Sequence, residues 1–384
     1  MKRFLLASAL PAALALALAI GATARPIARI TRPTCGTFTL GVMAPVTGPA
    51  ASIGVDQLHW PEFFVTQWNK RRNASFKLKI FQGDDQLDPA KASTVAQQFA
   101  SNKSIVGMIG PPGSSEVLAI SSILTRAGLA FISGSATSVG LTNGSLAHYF
   151  FRVVPNDSEQ APTVVRYMTT KLGVKAGTAV MIVDDQEAYS TGLADFVQQA
   201  LQRDGVKVDR ESIQQKDTDF SALVAKVTSD TKVLFAPLQL AAQTELMAEQ
   251  LASQGKHTVV FGSDGSFDAS KFNAEGGYIS FFAPDVTTVA ADAGVVKAFH
   301  KQFPGATSPF GTPNYIAAQV YAQAISSLCA AHRRVTRASV RAAVARVDLK
   351  STLIGPIAFT KNGDVRNARF YIYKVIGGKY VTVG

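Results

Sequence analysis

The chain has 384 residues, 47% of them hydrophobic and 17% charged. So little charge with so much apolar content excludes a disordered protein, and 30 Gly with 17 Pro in no three-residue period exclude collagen. The formal charge of +11 invites nucleic acid or an anionic membrane. Its densest groups (Lys70-Arg71-Arg72, Arg333-Arg334 with Arg337, and Arg25 to Arg32) are dispersed and not interleaved with aromatics as a single-strand binder requires; they read as solvated faces and a basic tail, with no nucleic-acid partner.

Met1-Lys2-Arg3 is a short positive start, residues 4–20 are an almost unbroken Leu- and Ala-rich run, and Ala22-Thr23-Ala24 places small residues where a signal peptidase reads them. Residues 1–24 are expected to be a cleavable signal peptide, too short and without the flank of a membrane span. Its removal takes Lys2 and Arg3 and lowers the charge from +11 to +9. No cysteine for lipid attachment stands at the cut, and no later stretch is long enough to span a bilayer. A soluble periplasmic or secreted protein is expected. The remaining length can bury a core without a structural metal or cofactor.

The mature sequence then alternates short apolar runs with amphipathic stretches. Strands are expected at 37–44, 77–81, 105–110 and 129–133, with helices at 56–72, 89–101 and 115–127 between them. The strand runs are continuous rather than alternating, which marks a parallel sheet covered by helices on both faces. The pattern restarts with strands at 150–154, 179–183, 232–236, 259–262 and 278–283 and helices at 159–172, 191–203 and 244–254. Helices at 291–303, 315–331 and 337–346 follow, and strands at 357–360, 370–375 and 380–383 end the chain, with the turn Lys361-Asn362-Gly363-Asp364 among them. The fold expected is α/β with two lobes, lobe 1 from 36–154 and 285–356, lobe 2 from 155–284 and 357–384. Crossings near 153–157, 281–286 and 357–361 would make a hinge that closes around a ligand.

Enzyme signatures are sparse. There is no Gly-x-Gly pair, no P-loop and no Gly-x-Ser-x-Gly elbow. The five histidines are scattered, and Cys329-x-x-His332 alone lacks partners for zinc. The acid pairs Asp84-Asp85 and Asp184-Asp185 each follow an apolar run, but adjacent residues on extended chain point to opposite faces; capping, ion pairing or hinge contacts suit them better than acid–base work. Cys35 precedes the first strand and Cys329 ends a late helix. In a layered α/β domain those two places meet at one pole, so a Cys35–Cys329 bridge is a hypothesis for an oxidising compartment, with two free thiols as the alternative.

The informative segments are loops that follow strands. Gly110-Pro111-Pro112-Gly113-Ser114-Ser115-Glu116 joins a strand to a helix whose first N–H groups, capped by Ser114 or Ser115, form an anion site. Ser133-Gly134-Ser135-Ala136-Thr137-Ser138 repeats the design after the next strand. Either loop alone fits ordinary capping; two side by side suit a carboxylate. From the second lobe, Tyr189 and Gly262-Ser263-Asp264-Gly265 also follow strands, and Asp264 at a cleft edge could receive an ammonium group. Together they describe a zwitterion site.

These residues, in order, resemble the periplasmic substrate-binding proteins of ABC transporters for branched-chain and related amino acids. The likeness runs from about 37 to 376 and rests on GVMAPVTGPAASIG, DDQLDPAKA, VGMIGPPGSS, FISGSATS, FRVVPNDSEQAP, VDDQEAYSTGL, TDFSALVAKV, VFGSDG and GPIAFTKNGD. It implies a two-lobe Venus-flytrap fold with three crossovers, no enzymatic activity, and delivery of a small ligand, an amino acid or analogue, to a membrane permease by a monomer. It also implies that Ser114 and Thr137, with backbone of Gly113, Ser135 and Ala136, bind the ligand carboxylate, and that Tyr189 and Asp264 meet the ammonium group. Ile53 stands where many members place an aromatic over the ligand side chain, and Pro237-Leu238-Gln239-Leu240 also lacks one. The rival readings are a ligand-sensing domain of the same fold without transport and, behind it, an extracytoplasmic hydrolase built on the Ser114 loop.

Overall fold

The computed structural model describes Met1 and residues 35–384, apart from Ser145, Ala147 and Thr307. The expected signal segment, Met1 excepted, lies outside the described residues. The first parallel sheet follows from central strands that are apolar on both faces. Its elements are β1 (Gly36–Ala44), α1 (Ala51–Lys70), β2 (Phe76–Asp84), α2 (Pro89–Ser101), β3 (Ile105–Ile109), α3 (Ser114–Arg126), β4 (Phe131–Ser133) and β5 (Phe150–Arg152). The strand order is β2-β1-β3-β4-β5, all parallel. β3 and β4 are buried throughout. Local signals set the helix starts: Asp88 accepts from the N–H groups of Ala90 and Lys91 while Pro89 opens α2.

The second sheet takes α4 (Asp157–Lys171), β6 (Ala179–Asp184), α5 (Ala188–Arg203), β7 (Lys207–Ser212), α6 (Ser221–Ala225), β8 (Thr231–Ala236), α7 (Ala241–Ser253), β9 (Val259–Gly262) and β10 (Tyr278–Phe281). Asn156 caps α4 by accepting from Ser158 N–H. The chain then returns to the first lobe through α8 (Ala293–Gln302), α9 (Gly311–Ala330), α10 (Arg337–Val344) and the ribbon of β11 (Asp348–Leu349) and β12 (Ile357–Ala358). α9 is wedged beneath the first sheet: the buried Tyr321 hydroxyl lies 2.9 Å from Met108 O and 2.8 Å from Ala130 O. Finally β13 (Tyr371–Ile376) and β14 (Lys379–Thr382) complete the seven-stranded order β14-β13-β10-β9-β8-β6-β7, antiparallel only at β10–β13 and β13–β14.

The third crossing falls later than position 357. Ile357, Phe359 and Val365 pack with Phe151 and Val153 in the first lobe's core, whereas Phe370, Tyr373 and Val375 pack in the second's. The chain therefore changes lobes between Val365 and Phe370, because the short β12 pairs with β11 rather than with the large sheet. β7, α6 and the two-residue β11 are elements the sequence does not announce. α1 starts five residues before the expected Asp56. Cys35 and Cys329 are joined by a disulfide with a Cα–Cα distance of 5.9 Å, tying the entrance of β1 to the end of α9. Among the described residues no helix is long and apolar enough to cross a membrane.

Candidate functional site

In each sheet the strand order reverses beside the earliest strand: β1 lies between β2 and β3, and β6 between β7 and β8. Open α/β sheets form their crevices at the carboxyl ends of strands at such points. Every residue lining a cavity of about 40 Å³ between the lobes fits that rule or caps α9: Ile53 after β1, Leu87 after β2, Pro112, Gly113 and Ser114 after β3, Ser135 after β4, Tyr189 after β6, Gln239 after β8, Asp264 and Gly265 after β9, and Phe310.

The first-lobe wall begins with a turn that only glycine makes. Gly110 has φ of 92°, and a Cβ there would stand 2.1 Å from Met43 O. Gly113, not a serine, occupies the cap position of α3. The first N–H groups of that helix have no intrahelical partners, as at any helix start. Ser114 Oγ accepts from Ser138 N–H at 3.2 Å, which couples the two loops. Ser135 Oγ donates to Pro112 O (3.1 Å) and accepts from Gln57 Nε2 (2.9 Å). Beneath them Ser133 Oγ accepts from the N–H groups of Ser135 and Ala136 and donates to Pro111 O.

These bonds correct two expectations. Ala136 does not line the cavity: its side chain sits in the hydrophobic core with Leu141 and Phe150, and its N–H is already used. Thr137 does not line it either: it is fully buried beside the Asp157 carboxyl, and Asp157 N–H donates to Thr137 O at 3.0 Å. The loop is held in this shape by Arg152, a residue given no role from the sequence. Its fully buried guanidinium donates to Ala136 O (3.1 Å), Ser138 O (2.8 Å), Thr142 Oγ1 and Asp364 Oδ1 (2.7 Å).

The second-lobe wall is acidic. Asp264 is 4% exposed, and its Oδ1 accepts from Tyr189 (2.6 Å) and Gln160 Nε2 (2.6 Å). Gln160 is oriented in turn by Ser280 Oγ at 2.9 Å, and Tyr189 Oη lies 2.5 Å from Ser263 Oγ. Burial pushes the Asp264 carboxyl up to about 6, although the bonds from Tyr189 and Gln160 pull it down. Burial and the Asp264 charge push the neighbouring Asp157 up to about 8. Burial thus raises both carboxyls of this pair, and the Asp264 charge adds to the rise of Asp157.

The expected site residues Ser114, Gly113, Ser135, Ile53, Tyr189 and Asp264 thus share one cavity. Leu87, Pro112, Gln239, Gly265 and Phe310 join them without having been singled out. A second acid group lies at the lobe junction: Glu116, 1% exposed, is pushed up to about 8 by burial and then by Asp85, with a smaller push from Glu187 of the other lobe. There Ala188 N–H donates to Ser115 Oγ across the junction at 3.0 Å. Asp84 and Asp184 serve structure: Asp84 accepts from Val46 N–H, and Asp184 pairs with Arg210 at 2.7 Å. No group of three or more His, Cys, Asp or Glu able to hold a metal occurs among the described residues.

A family model described as periplasmic binding protein matches residues 37–379. The Leu/Ile/Val-binding protein BraC3 of Rhizobium johnstonii is 28% identical over 357 residues, covering 90% of this chain and 93% of that protein. Among solved structures, the isoleucine complex of the branched-chain amino acid transporter substrate-binding protein LivJ from Streptococcus pneumoniae superposes with a TM-score of 0.78 at 21% identity, covering 90% of this chain and 100% of that one. A fatty acid ABC transporter substrate-binding protein from Thermomonospora curvata also gives 0.78 at 21% identity, covering 91% of each chain.

Proposed function

Since the chain belongs to the periplasmic binding protein family, we propose that it captures an amino acid, or an analogue with the same two charges, between its lobes outside the cytoplasm and delivers it as a monomer to an ABC permease. One observation carries this reading: a buried carboxylate, Asp264, and the start of α3 line the same small cavity from opposite lobes. Helix N-terminal N–H groups suit a carboxylate. Asp264 suits an ammonium group, with Tyr189 and Gln160 holding the orientation of its carboxyl. Shutting water out of the cavity strengthens both contacts.

The test is calorimetry on a panel of amino acids, followed by Asp264→Ala with the best ligand. Losing one partner of a desolvated charge contact costs roughly 2–5 kcal/mol. The wild-type affinity should also fall as the pH drops through about 6, where Asp264 takes up a proton. Unchanged affinity in the variant would remove the assignment of Asp264. Binding of no amino acid at all would remove the reading itself. Recovery of the ligand chemically unchanged after long incubation distinguishes carriage from turnover.

A further inference from the structure

The first sheet is parallel throughout, so its strands all begin at one edge, and α1, α2 and α3 each end beside it. Basic groups that stand far apart in the sequence are brought to this edge. Cys35 N–H donates to Ser75 O, which joins the entrances of β1 and β2, and the disulfide to Cys329 adds the end of α9. Arg337, at the start of α10, donates to the carbonyls of Phe99, Ala100 and Asn102 at the end of α2, of Ala127 at the end of α3 and of Ile105 at the start of β3, all within 2.7–3.1 Å. Arg341 Nη1 donates to His148 O near the start of β5 at 3.2 Å.

The segments so gathered, 70–76, 101–105, 126–131, 148–150 and 329–341, hold nine Lys and Arg and no Asp or Glu. Residues 70–72, Lys103, Arg126, Arg333 and Arg334 are exposed, and none of them is in an ion pair among the described residues. The acids of the neighbouring connections stand at the other ends of the strands: Asp84 ends β2, Asp85 and Asp88 follow it, and Glu116 lies in the first turn of α3, beside the cleft. The lobe is therefore polarised, with a purely basic pole facing away from the cleft. None of the large apolar side chains exposed among the described residues lies on that pole, and Trp68 is covered by the Arg71 guanidinium at 4.6 Å. The face offers a broad field of positive charge, with no free aromatic on which a base could stack.

We infer that this pole docks the protein on an anionic phospholipid surface, by charge alone, with the cleft turned toward the solution. A membrane rich in phosphate headgroups presents many negative charges over an area, which is what basic groups drawn from five separate segments can meet together. Each Lys or Arg brought close to such a surface is worth roughly a fivefold change in partition. The attraction ends within a Debye length, about 8 Å at physiological salt, so the attachment is reversible. The inference does not depend on which ligand the cleft takes.

The test is co-sedimentation of the purified protein with vesicles of equal parts phosphatidylglycerol and phosphatidylcholine, against vesicles of phosphatidylcholine alone. The protein should sediment with the anionic vesicles at about 0.1 M salt and be released at about 1 M, where the screening length shrinks to roughly 3 Å. Arg333→Glu with Arg334→Glu should weaken partition at least about tenfold. Arg72→Glu with Lys103→Glu, on two other segments of the pole, should do the same and covers the case in which the first pair fails to fold. Lys171→Glu with Lys216→Glu makes the same change of net charge at exposed positions of the second lobe and should weaken partition by less than about threefold. No binding to the anionic vesicles at the lower salt, equal binding to phosphatidylcholine alone, or an equal loss in the second-lobe pair overturns the inference. Tighter binding to a duplex DNA fragment than to the anionic vesicles at equal phosphate would assign the pole to nucleic acid and overturn it as well.

Discussion

Glu116 shows how much chemistry one buried residue can carry. Its carboxyl folds back under Gly113, so that a Cβ on that glycine would stand 1.8 Å from Oε2. Oε2 has no partner, and burial with Asp85 nearby raises the group to about 8 from its ordinary value of 4.5. Between those two values the folded protein holds a proton that the unfolded chain has released. Stability therefore falls as the pH rises from about 4.5 to about 8 and is flat above. Asp85, raised to about 7, adds to the same slope. Glu116→Gln keeps the shape and removes the charge. We expect urea midpoints at pH 5, 6.5 and 8 to decline less steeply in the variant, and its midpoint at pH 8 to exceed that of wild type. An unaltered slope would show that Glu116 does not titrate in this range.

Elements differ in how plainly the sequence announces them, and the reason is burial. β3, β6 and β8 lie inside sheets and are almost wholly buried, so their apolar residues stand together in the sequence. β7, Lys207–Ser212, stands at the sheet's edge with burial that alternates toward solvent, so its polar letters look like loop. α1 opens on Ala51 with no side-chain cap, which leaves its start without a signal. The loops after β3, β4 and β9 are legible because their glycines and serines cluster, and six of the eight expected pocket residues line the cavity. Ala136 and Thr137 are not distinguishable from their neighbours by sequence, since which side of a loop faces inward depends on bonds made far away along the chain. Arg152 supplies those bonds. Arg152→Met should cost about 3 kcal/mol, toward the lower end for breaking a buried pair, because Asp364 is partly exposed and can be hydrated. Arg152→Lys should rescue little, for an ammonium cannot reach in three directions as the guanidinium fork does. Denaturation midpoints and ligand affinity should fall together in both, because the loop that loses its pin also carries Ser135. A variant that loses stability with affinity intact would show that the loop keeps its shape without Arg152.

At the scale of the whole molecule, restraint and motion are separated in space. The disulfide joins residues 294 apart in sequence, yet both ends, Cys35 and Cys329, pack on the core of the first lobe. It therefore staples one lobe and does not bridge the hinge. The contacts that hold the lobes together are of another kind: Phe310 packs edge-on against Phe281 (5.1 Å between ring centroids) and Phe282, and Ser115 accepts from Ala188. Opening the cleft costs those contacts and leaves the staple untouched. A cross-link of this span acts mainly on the unfolded chain, with a typical worth of about 2–5 kcal/mol when removed. The double substitution Cys35→Ala with Cys329→Ala should thus lower the denaturation midpoint markedly while ligand affinity and ligand-induced compaction, measured by calorimetry and small-angle scattering, stay at wild-type values. Loss of affinity in step with stability would mean that the two ends of the first lobe are mechanically coupled to the cleft, and that the staple sets the geometry of the binding wall.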